Sequence, residues 1–500
     1  MKRYLTFMVL LACTISSAQN ITDVLRYSHE NLQGTARFQG MGGAFGALGG
    51  DLSALSINPA GSAVFNNSLF TISGTHYQKD NLATYFGTSS GFKTNNLDLN
   101  QVGGVFVFKS NNGSDWKKMA IAINYDMVRN FDDEFRVVGT SDQGIDTYFL
   151  NFAQGVPFGS ILLQEGEYIE DGYLDIGSVQ GFGDQQAFLG YYGGVIDPQT
   201  EDDTNTVYNS NASYNTVNQD FLRVTSGYNS KFTVNFATQY QDNLYLGASL
   251  NFHTVFYDQY DDLRESGYEA GSLIQQTDFS NFLHTEGSGF SLNLGAIAKV
   301  NENFRVGGSY QSPTWYRLTD DFSQRINSDL ADDDINFINH DIINLFEAYT
   351  IKTPAKWTGS AALIFGKDGL LSLDYTYQDM SQAELRPAGD ASFATINSQI
   401  GNNLDGVSSI RLGGEYRIDQ VSLRAGYRFE QSPYADGNNI GDLNGYSGGI
   451  GYNFGGSRLD LAVNWLEQDY NMQLFDTGVT TPALINKKNT NVSLSYTLNF

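Results

Sequence analysis

The sequence predicts an all-β protein, a transmembrane antiparallel β-barrel of about 14 strands with an N-terminal hatch (plug) segment. Three observations carry this. Apolar and polar residues alternate with period two in about fourteen runs, each roughly 10 to 13 residues long, the length of a tilted membrane strand. The links between runs are sorted by length, short and long in turn. Only 17% of the 500 residues are charged, while 14% are aromatic and 53 are glycine. A soluble domain carries roughly 25% charged residues.

The N-terminus reads as a signal peptide over residues 1–18. Lys2 and Arg3 form the basic n-region, Leu5 to Ala12 the short apolar stretch, and Ser16-Ser17-Ala18 the small-residue cleavage site, leaving Gln19 as the new N-terminus. A lipoprotein signal is the rival reading, because Leu10-Leu11-Ala12 precedes Cys13, but Leu11 fits it poorly. Cys13 is the one cysteine in the chain, so no disulfide framework or thiolate metal cluster is expected. Residues 19–67 show no alternation and form the expected hatch; residues 68–500 form the expected barrel.

The strands centre near residues 73, 105, 122, 234, 249, 294, 310, 358, 374, 411, 425, 449, 464 and 494. Val492, Leu494, Tyr496, Leu498 and Phe500 alternate with Ser493, Ser495, Thr497 and Asn499; Leu371, Leu373, Tyr375 and Tyr377 alternate with Ser372, Asp374, Thr376 and Gln378. One face of each strand is greasy and the other polar. Short links occur at Ser110 to Trp116, Gln241-Asp242, Asn301-Glu302, Lys367-Asp368, Ile418-Asp419 and Gly455-Gly456-Ser457, with long ones between. That asymmetry separates periplasmic turns from extracellular loops and puts both ends of the barrel on the periplasmic side. A soluble sandwich or propeller also alternates, but its links are not sorted by length. Tyr77, Tyr125, Tyr240, Tyr377 and Trp465 are expected in the interfacial girdles.

Glycines 40, 43, 46 and 49 recur every third residue in the hatch, before Asp51 and Asn58-Pro59-Ala60-Gly61. No strand precedes this run and no βαβ unit follows, so it is not a dinucleotide fingerprint. Its small residues suit backbone packed in a confined space.

These residues resemble the FadL/TodX-type family of outer-membrane transporters for hydrophobic compounds. Asn58-Pro59-Ala60-Gly61 matches the family's hatch motif. Thr353-Pro354-Ala355-Lys356-Trp357, Arg411-Leu412-Gly413-Gly414-Glu415-Tyr416-Arg417, Leu423-Arg424-Ala425-Gly426-Tyr427 and Ser432-Pro433-Tyr434 follow in the family's order. The likeness covers the mature chain and is patchy over residues 128–228. It implies a plugged 14-stranded barrel in a Gram-negative outer membrane, passive uptake of fatty acids or aromatic hydrocarbons, and sideways release through a wall gap near the third strand. It also implies a hatch built on Gly40, Gly43, Gly46, Asp51, Asn58, Pro59, Ala60 and Gly61. Expected partners are a hydrophobic small molecule, outer-membrane lipid and lipopolysaccharide, and the barrel-assembly machinery through the C-terminal strand ending in Phe500. A polar-solute porin, haemin receptor or adhesin on the same barrel are the alternatives, and a barrel lipase a further one.

Strand parity turns Arg305, Asp374, Arg411, Glu415, Arg417, Arg424, Arg428 and Asp460 into the lumen. Buried charges need partners or a ligand. Arg411, Arg417, Arg424 and Arg428, with only Glu415 among them, fit either a carboxylate dock or a charge ladder against the hatch with Asp51. Phe149, Leu150, Phe152, Phe158 and Leu162, with Ile161, Leu163, Phe188, Leu189, Tyr191 and Tyr192 nearby, load one outer loop with apolar side chains. They form either a capture groove for substrate or a lid packed on itself.

No enzymatic site and no cofactor is expected. Gly87-Thr88-Ser89-Ser90-Gly91 and Gly445-Tyr446-Ser447-Gly448-Gly449 match a nucleophile-elbow pattern, one in a loop and one in a strand, without the strand-to-helix turn it requires. His29, His76, His253, His284 and His340 lack ligand spacing. Lys plus Arg number 29 and Asp plus Glu 55, a net −26 that argues against nucleic acid. Glu201-Asp202-Asp203 and Asp332-Asp333-Asp334 fall in outer loops, solvated or bridging divalent cations.

Overall fold

The computed structural model describes residues 20–110 and 113–500. The signal-peptide reading and the lipoprotein alternative at Cys13 fall on residues outside this range. Fourteen antiparallel strands form the wall. They are β1 (Leu69–Tyr85), β2 (Thr88–Lys109), β3 (Trp116–Asn130 and Asp133–Ser141), β4 (Val217–Tyr240), β5 (Leu244–Ser266), β6 (Gln276–Lys299) and β7 (Phe304–Gln311 and Trp315–Ser328). Then come β8 (Tyr349–Lys352 and Lys356–Phe365), β9 (Gly369–Asp379 and Glu384–Arg386), β10 (Gly406–Ile418), β11 (Val421–Glu430), β12 (Leu443–Asn453), β13 (Ser457–Met472) and β14 (Ala483–Asn499). The barrel closes where β1 pairs with β14, from Leu69↔Asn499 to Thr84↔Leu484. Closure pairs the first strand with the last, so neither end of the sheet is left open, as a membrane span demands.

All fourteen expected strand centres fall inside these strands. Their lengths differ from expectation: β4 and β6 have 24 residues each. The upper halves rise past the greasy band, so their outer face turns polar and the alternation that marks the membrane zone fades there. The first extracellular link is correspondingly short. Phe86 and Gly87 both take positive φ, 45° and 77°, the primed two-residue hairpin that matches strand twist. Gly87 opens the first elbow-like match, and its Ser89 lies at the start of β2 and not in a loop.

The parity is as expected on the lipid side: Leu412, Leu423, Leu461, Trp465 and Leu494 are exposed. Tyr77 is a correction. It shares the inner face of β1 with Ser73 and Thr75, is buried, and donates to Gln33 at 2.7 Å. A place near a strand's end does not decide which face a residue takes.

The chain before β1 lies inside the barrel. Helix α1 (Ile21–Ser28) starts at a capping box made by Asn20 and Asp23. A short helix α2 (Ala36–Gly40), capped by Thr35, and two 3₁₀ turns, Leu52–Ser56 and Pro59–Val64, follow. Helix α1 packs Val24, Leu25 and Tyr27 with Phe131, Tyr257 and Tyr316 of the wall and with Phe393, Ile396 and Ile400 of α6 (Ala391–Asn403). Above β3 and β4 the long loop folds into α3 (Ile145–Ala153), α4 (Ile169–Val179) and α5 (Phe182–Tyr192).

Candidate functional site: a plugged lumen and an unpaired seam in its wall

The hatch is bound to the wall by a few directed contacts. Arg37 reaches Glu415 of β10 with two hydrogen bonds, Nε to Oε2 at 2.9 Å and Nη2 to Oε1 at 3.2 Å. The same carboxylate accepts Arg424 Nε at 2.7 Å, and Arg417 pairs with it from the periplasmic side. Arg424 also sits 2.8 Å from Asp460, which takes Arg458 at 2.6 Å. A fork of guanidinium on carboxylate fixes orientation as well as charge. Asp374 of β9 accepts the backbone N–H groups of Phe45 at 2.9 Å and Gly46 at 3.0 Å. A Cβ on Gly46 would stand 2.0 Å from the Ser360 hydroxyl, and one on Gly307 would stand 2.4 Å from the Gly46 carbonyl. Backbone therefore meets wall at a distance that only glycine permits.

The Asn-Pro-Ala turn is pinned likewise. Asn58 Nδ2 donates to the Gly46 carbonyl at 2.8 Å and to the Ala296 carbonyl of β6 at 3.0 Å, while its Oδ1 accepts the Ala60 N–H at 3.1 Å. Asn235 of β4 donates to the Pro59 carbonyl at 2.9 Å. Asp51 takes no arginine among the described residues. It caps the first 3₁₀ turn through Ser53 N–H and accepts the Thr35 hydroxyl at 2.8 Å. The ladder's hatch member is Arg37, which sequence reasoning missed. The signal was there, since Arg37 and Asp51 are the two charged residues of 34–51.

The four lumen arginines separate. Arg417 and Arg424 belong to the Glu415 cluster. Arg428 pairs with Glu430 at 2.7 Å and donates to the Glu30 carbonyl at 3.2 Å. Arg411 has no ion pair among the described residues, and its buried Nε has no hydrogen-bond partner. With Arg428, Lys356, His29, Glu30 and Glu430 it lines a polar cavity of about 30 Å³ between the hatch and β10. Lys356 is held there by Glu30 at 3.0 Å and His29 by Glu430 at 3.0 Å.

Between β2 and β3 the wall loses its backbone pairing part-way along both strands. β2 pairs with β3 only from Gln101↔Asp126 to Lys109↔Lys118. Before residue 101, on its extracellular part, β2 pairs with β1 alone. β3 slips register between Met127 and Arg129, breaks at Phe131-Asp132, and continues as Asp133–Ser141 paired only with β4. Side chains bridge the seam: Asn96 Nδ2 to Asp132 Oδ2 at 2.6 Å and Asn130 Nδ2 to Asp98 Oδ2 at 2.7 Å. Hatch residues stand behind it. Asn31 N–H donates to the Val128 carbonyl at 3.1 Å, and Arg129 donates to the Arg26 carbonyl at 2.9 Å. Leu97 and Leu99 face outward beside it. No residue of this seam stood out in the sequence, because Asn96 and Asp98 keep a regular alternation.

The apolar outer loop is a folded lid. Phe149 and Phe158 are buried in one cluster with Ile161, Tyr173, Phe188 and Phe279, and the Phe149 and Phe279 rings lie 5.1 Å apart. This corrects their placement in a groove: α3 turns Phe149 inward onto β6, and Phe158, in the 3₁₀ turn after α3, packs its ring 5.0 Å from Tyr191 of α5. Leu150, Phe152 and Leu162 sit half-buried at the rim of the same cluster. Glu265, nine residues past Phe256, the last lipid-exposed apolar residue of β5, holds the lid down. It accepts the Ile145 N–H at 2.9 Å, Gln219 at 2.6 Å and the Tyr268 hydroxyl at 2.8 Å. Burial pushes its carboxyl up to about 7 against these three donors.

A family model described as outer membrane protein transport protein (OMPP1/FadL/TodX) matches residues 199–497. The chain belongs to this family. It is an outer-membrane protein. Solved structures with a similar fold include a Pseudomonas aeruginosa FadL homologue, 13% identical, matched over 95% of this chain and 100% of that one with a TM-score of 0.54. The Pseudomonas putida toluene transporter TodX is 13% identical over 95% and 100% of the two chains, with a TM-score of 0.48. The Ralstonia pickettii toluene transporter TbuX is 13% identical over 94% and 99%, with a TM-score of 0.46. No curated protein sequence matches the chain.

Proposed function

We propose that this outer-membrane transport protein passes small hydrophobic or amphipathic molecules from the loops into the lumen and out sideways into the bilayer between β2 and β3. The observation that carries the reading is the seam: the lower lumen is filled by the hatch, and the wall lacks ladder hydrogen bonds beside Asn96 and Asp132. A sideways exit spares an apolar molecule a passage through water. The hatch is the moving part, with Gly40, Gly43, Gly46, Asp51, Asn58, Pro59, Ala60 and Gly61 shaping its fit. The half-buried rim of Leu150, Phe152 and Leu162 is the place of first capture. Fatty acids and aromatic hydrocarbons are the candidate cargoes, and the unpaired guanidinium of Arg411 favours one with a carboxylate.

The signal peptide is cleaved after Ala18, lipopolysaccharide surrounds the loops, and the strand ending at Phe500 serves the assembly machinery. The chain does no hydrolysis: Ser447 of the second elbow-like match accepts the Gly42 N–H at 3.0 Å and serves the hatch. The test is uptake of radiolabelled oleate and of toluene into proteoliposomes, beside ion conductance in a planar bilayer. Uptake of either without a steady ion current supports the reading. A large, steady open state of the intact protein overturns it and favours a porin.

A further inference from the structure

The outer wall carries a concave niche at membrane depth that the transport path leaves unused. Gly308 of β7 and Gly359 of β8 form its floor, and Leu294, Tyr310, Trp357 and Tyr377 rise around it. The cavity measures about 590 Å³. A Cβ built on either glycine meets nothing within 4 Å, so no protein atom fills the hollow. The Tyr310 and Trp357 rings brace each other at 4.5 Å.

Above the niche β7 and β8 both bend, at residues 312–314 and 353–355. Beyond the bend Tyr316, Ile351 and Leu385 point into the core, so their neighbours Trp315, Arg317, Lys352, Glu384 and Arg386 point out. Register sets Arg317 opposite Thr350 and Thr350 opposite Arg386, with Lys352 opposite Glu384 one row below. Glu384 takes Arg386 at 2.9 Å and Lys352 at 3.7 Å; Arg317 has no carboxylate partner among the described residues. Three cations face two acids here, Glu384 and the exposed Glu286 of β6 opposite Thr319, which leaves +1 on a chain whose net charge is −26. Lys352 stands five residues above Trp357, roughly 16 Å along the strand.

We propose that niche and cation row together hold one net-anionic, phosphate-bearing lipid of the outer leaflet. An acyl chain lies over Gly308 and Gly359, and the phosphate meets Arg317, Lys352 and Arg386. The proposal rests on the membrane placement above, whatever the cargo. Two features name this occupant. The niche is continuous with the lipid-facing band, and the charge above it is the complement of a phosphate headgroup in a protein that is otherwise acidic.

The chain has four tryptophans, so Trp116→Phe/Trp465→Phe leaves Trp315 and Trp357 as reporters beside the site. This full-length variant is placed in phosphatidylcholine nanodiscs carrying a minor fraction of brominated phosphatidylglycerol, or the same fraction of brominated phosphatidylcholine. The brominated anionic lipid is expected to be enriched about fivefold at the reporters, the scale set by one net charge facing an anionic lipid. Arg317→Gln/Arg386→Gln removes the preference, and Gly308→Leu/Gly359→Leu lowers quenching by both lipids. Heat-modifiable gel mobility checks that each barrel is closed. Equal quenching by the two lipids overturns the proposal. So does a dimer whose dissociation exposes Trp357, which would give the niche to a second copy of the chain.

Discussion

Glu415→Gln is the most informative single change in the hatch. In the native cluster two carboxylates, Glu415 and Asp460, serve four arginines: Arg37, Arg417, Arg424 and Arg458. Neutralising Glu415 leaves Arg424 with Asp460 but leaves Arg37, which is buried, without an anion. Removing one partner of a buried pair costs about 3–5 kcal/mol. The Arg417 side chain is 44% exposed, so its share is small. The loss falls on hatch docking, because the wall keeps its ladder. At the lower bound the undocked population rises more than about a hundredfold. The reverse change, Arg37→Gln, leaves Glu415 with Arg417 and Arg424 and should cost less. The assay is paired: protease cleavage of residues 34–51 in detergent, and ion-current openings in a planar bilayer. Glu415→Gln should raise both, and Arg37→Gln should raise them less. Wild-type behaviour in both variants, or the opposite order, refutes the ladder as the hatch anchor.

Gly46→Val drives a side chain into Ser360 and should loosen the hatch as Glu415→Gln does, visible as faster cleavage with unchanged heat-modifiable mobility. Glu265 gives the lid a pH dependence. Its folded value, about 7, lies above the ordinary 4.5, so its contribution is full below about 4.5 and is lost as pH rises through about 7. Hydrogen-exchange protection of α3, corrected for intrinsic rate, should therefore fall between pH 5 and 8, and Glu265→Gln should flatten the change. Phe149→Ser empties the centre of the lid at a cost of about 3–5 kcal/mol and should expose α3 to protease, whereas Phe152→Ser at the rim should alter uptake with the lid intact. Arg411→Gln should lower uptake of oleate but leave toluene unchanged, read by the same proteoliposome assay.

The barrel was legible because its physics is local. Period-two alternation and link length set strand number and order, and residues such as Leu494 and Ser493 declare their faces without reference to any other strand. Strand ends were not legible, because above the membrane the outer face of β4 to β6 is polar and no longer contrasts with the inner one. Parity placed Asp374, Glu415, Arg424 and Asp460 in the lumen, as the structure has them, but not their partners. Arg37 and Glu415 lie 378 residues apart, and only the docked hatch brings them together. The apolar loop was visible as a feature and ambiguous in role: Phe149 facing a groove and Phe149 facing β6 read identically in sequence. The seam left no trace in the alternation, because an unpaired strand edge is a fact about two strands and not about either one; only the family resemblance pointed to a gap near the third strand.

Locking the seam tests the central claim most directly. Asn96 and Asp132 touch across it, and the chain's one cysteine, Cys13, lies within the proposed signal peptide, so Asn96→Cys/Asp132→Cys puts two thiols across the seam of the mature protein, their reversible bridging checked by loss of free thiol. Uptake of oleate or toluene into proteoliposomes should stop in the oxidised double variant and return on reduction, while each single variant transports in both states. Undiminished uptake through a fully oxidised, folded double variant would contradict sideways release between β2 and β3.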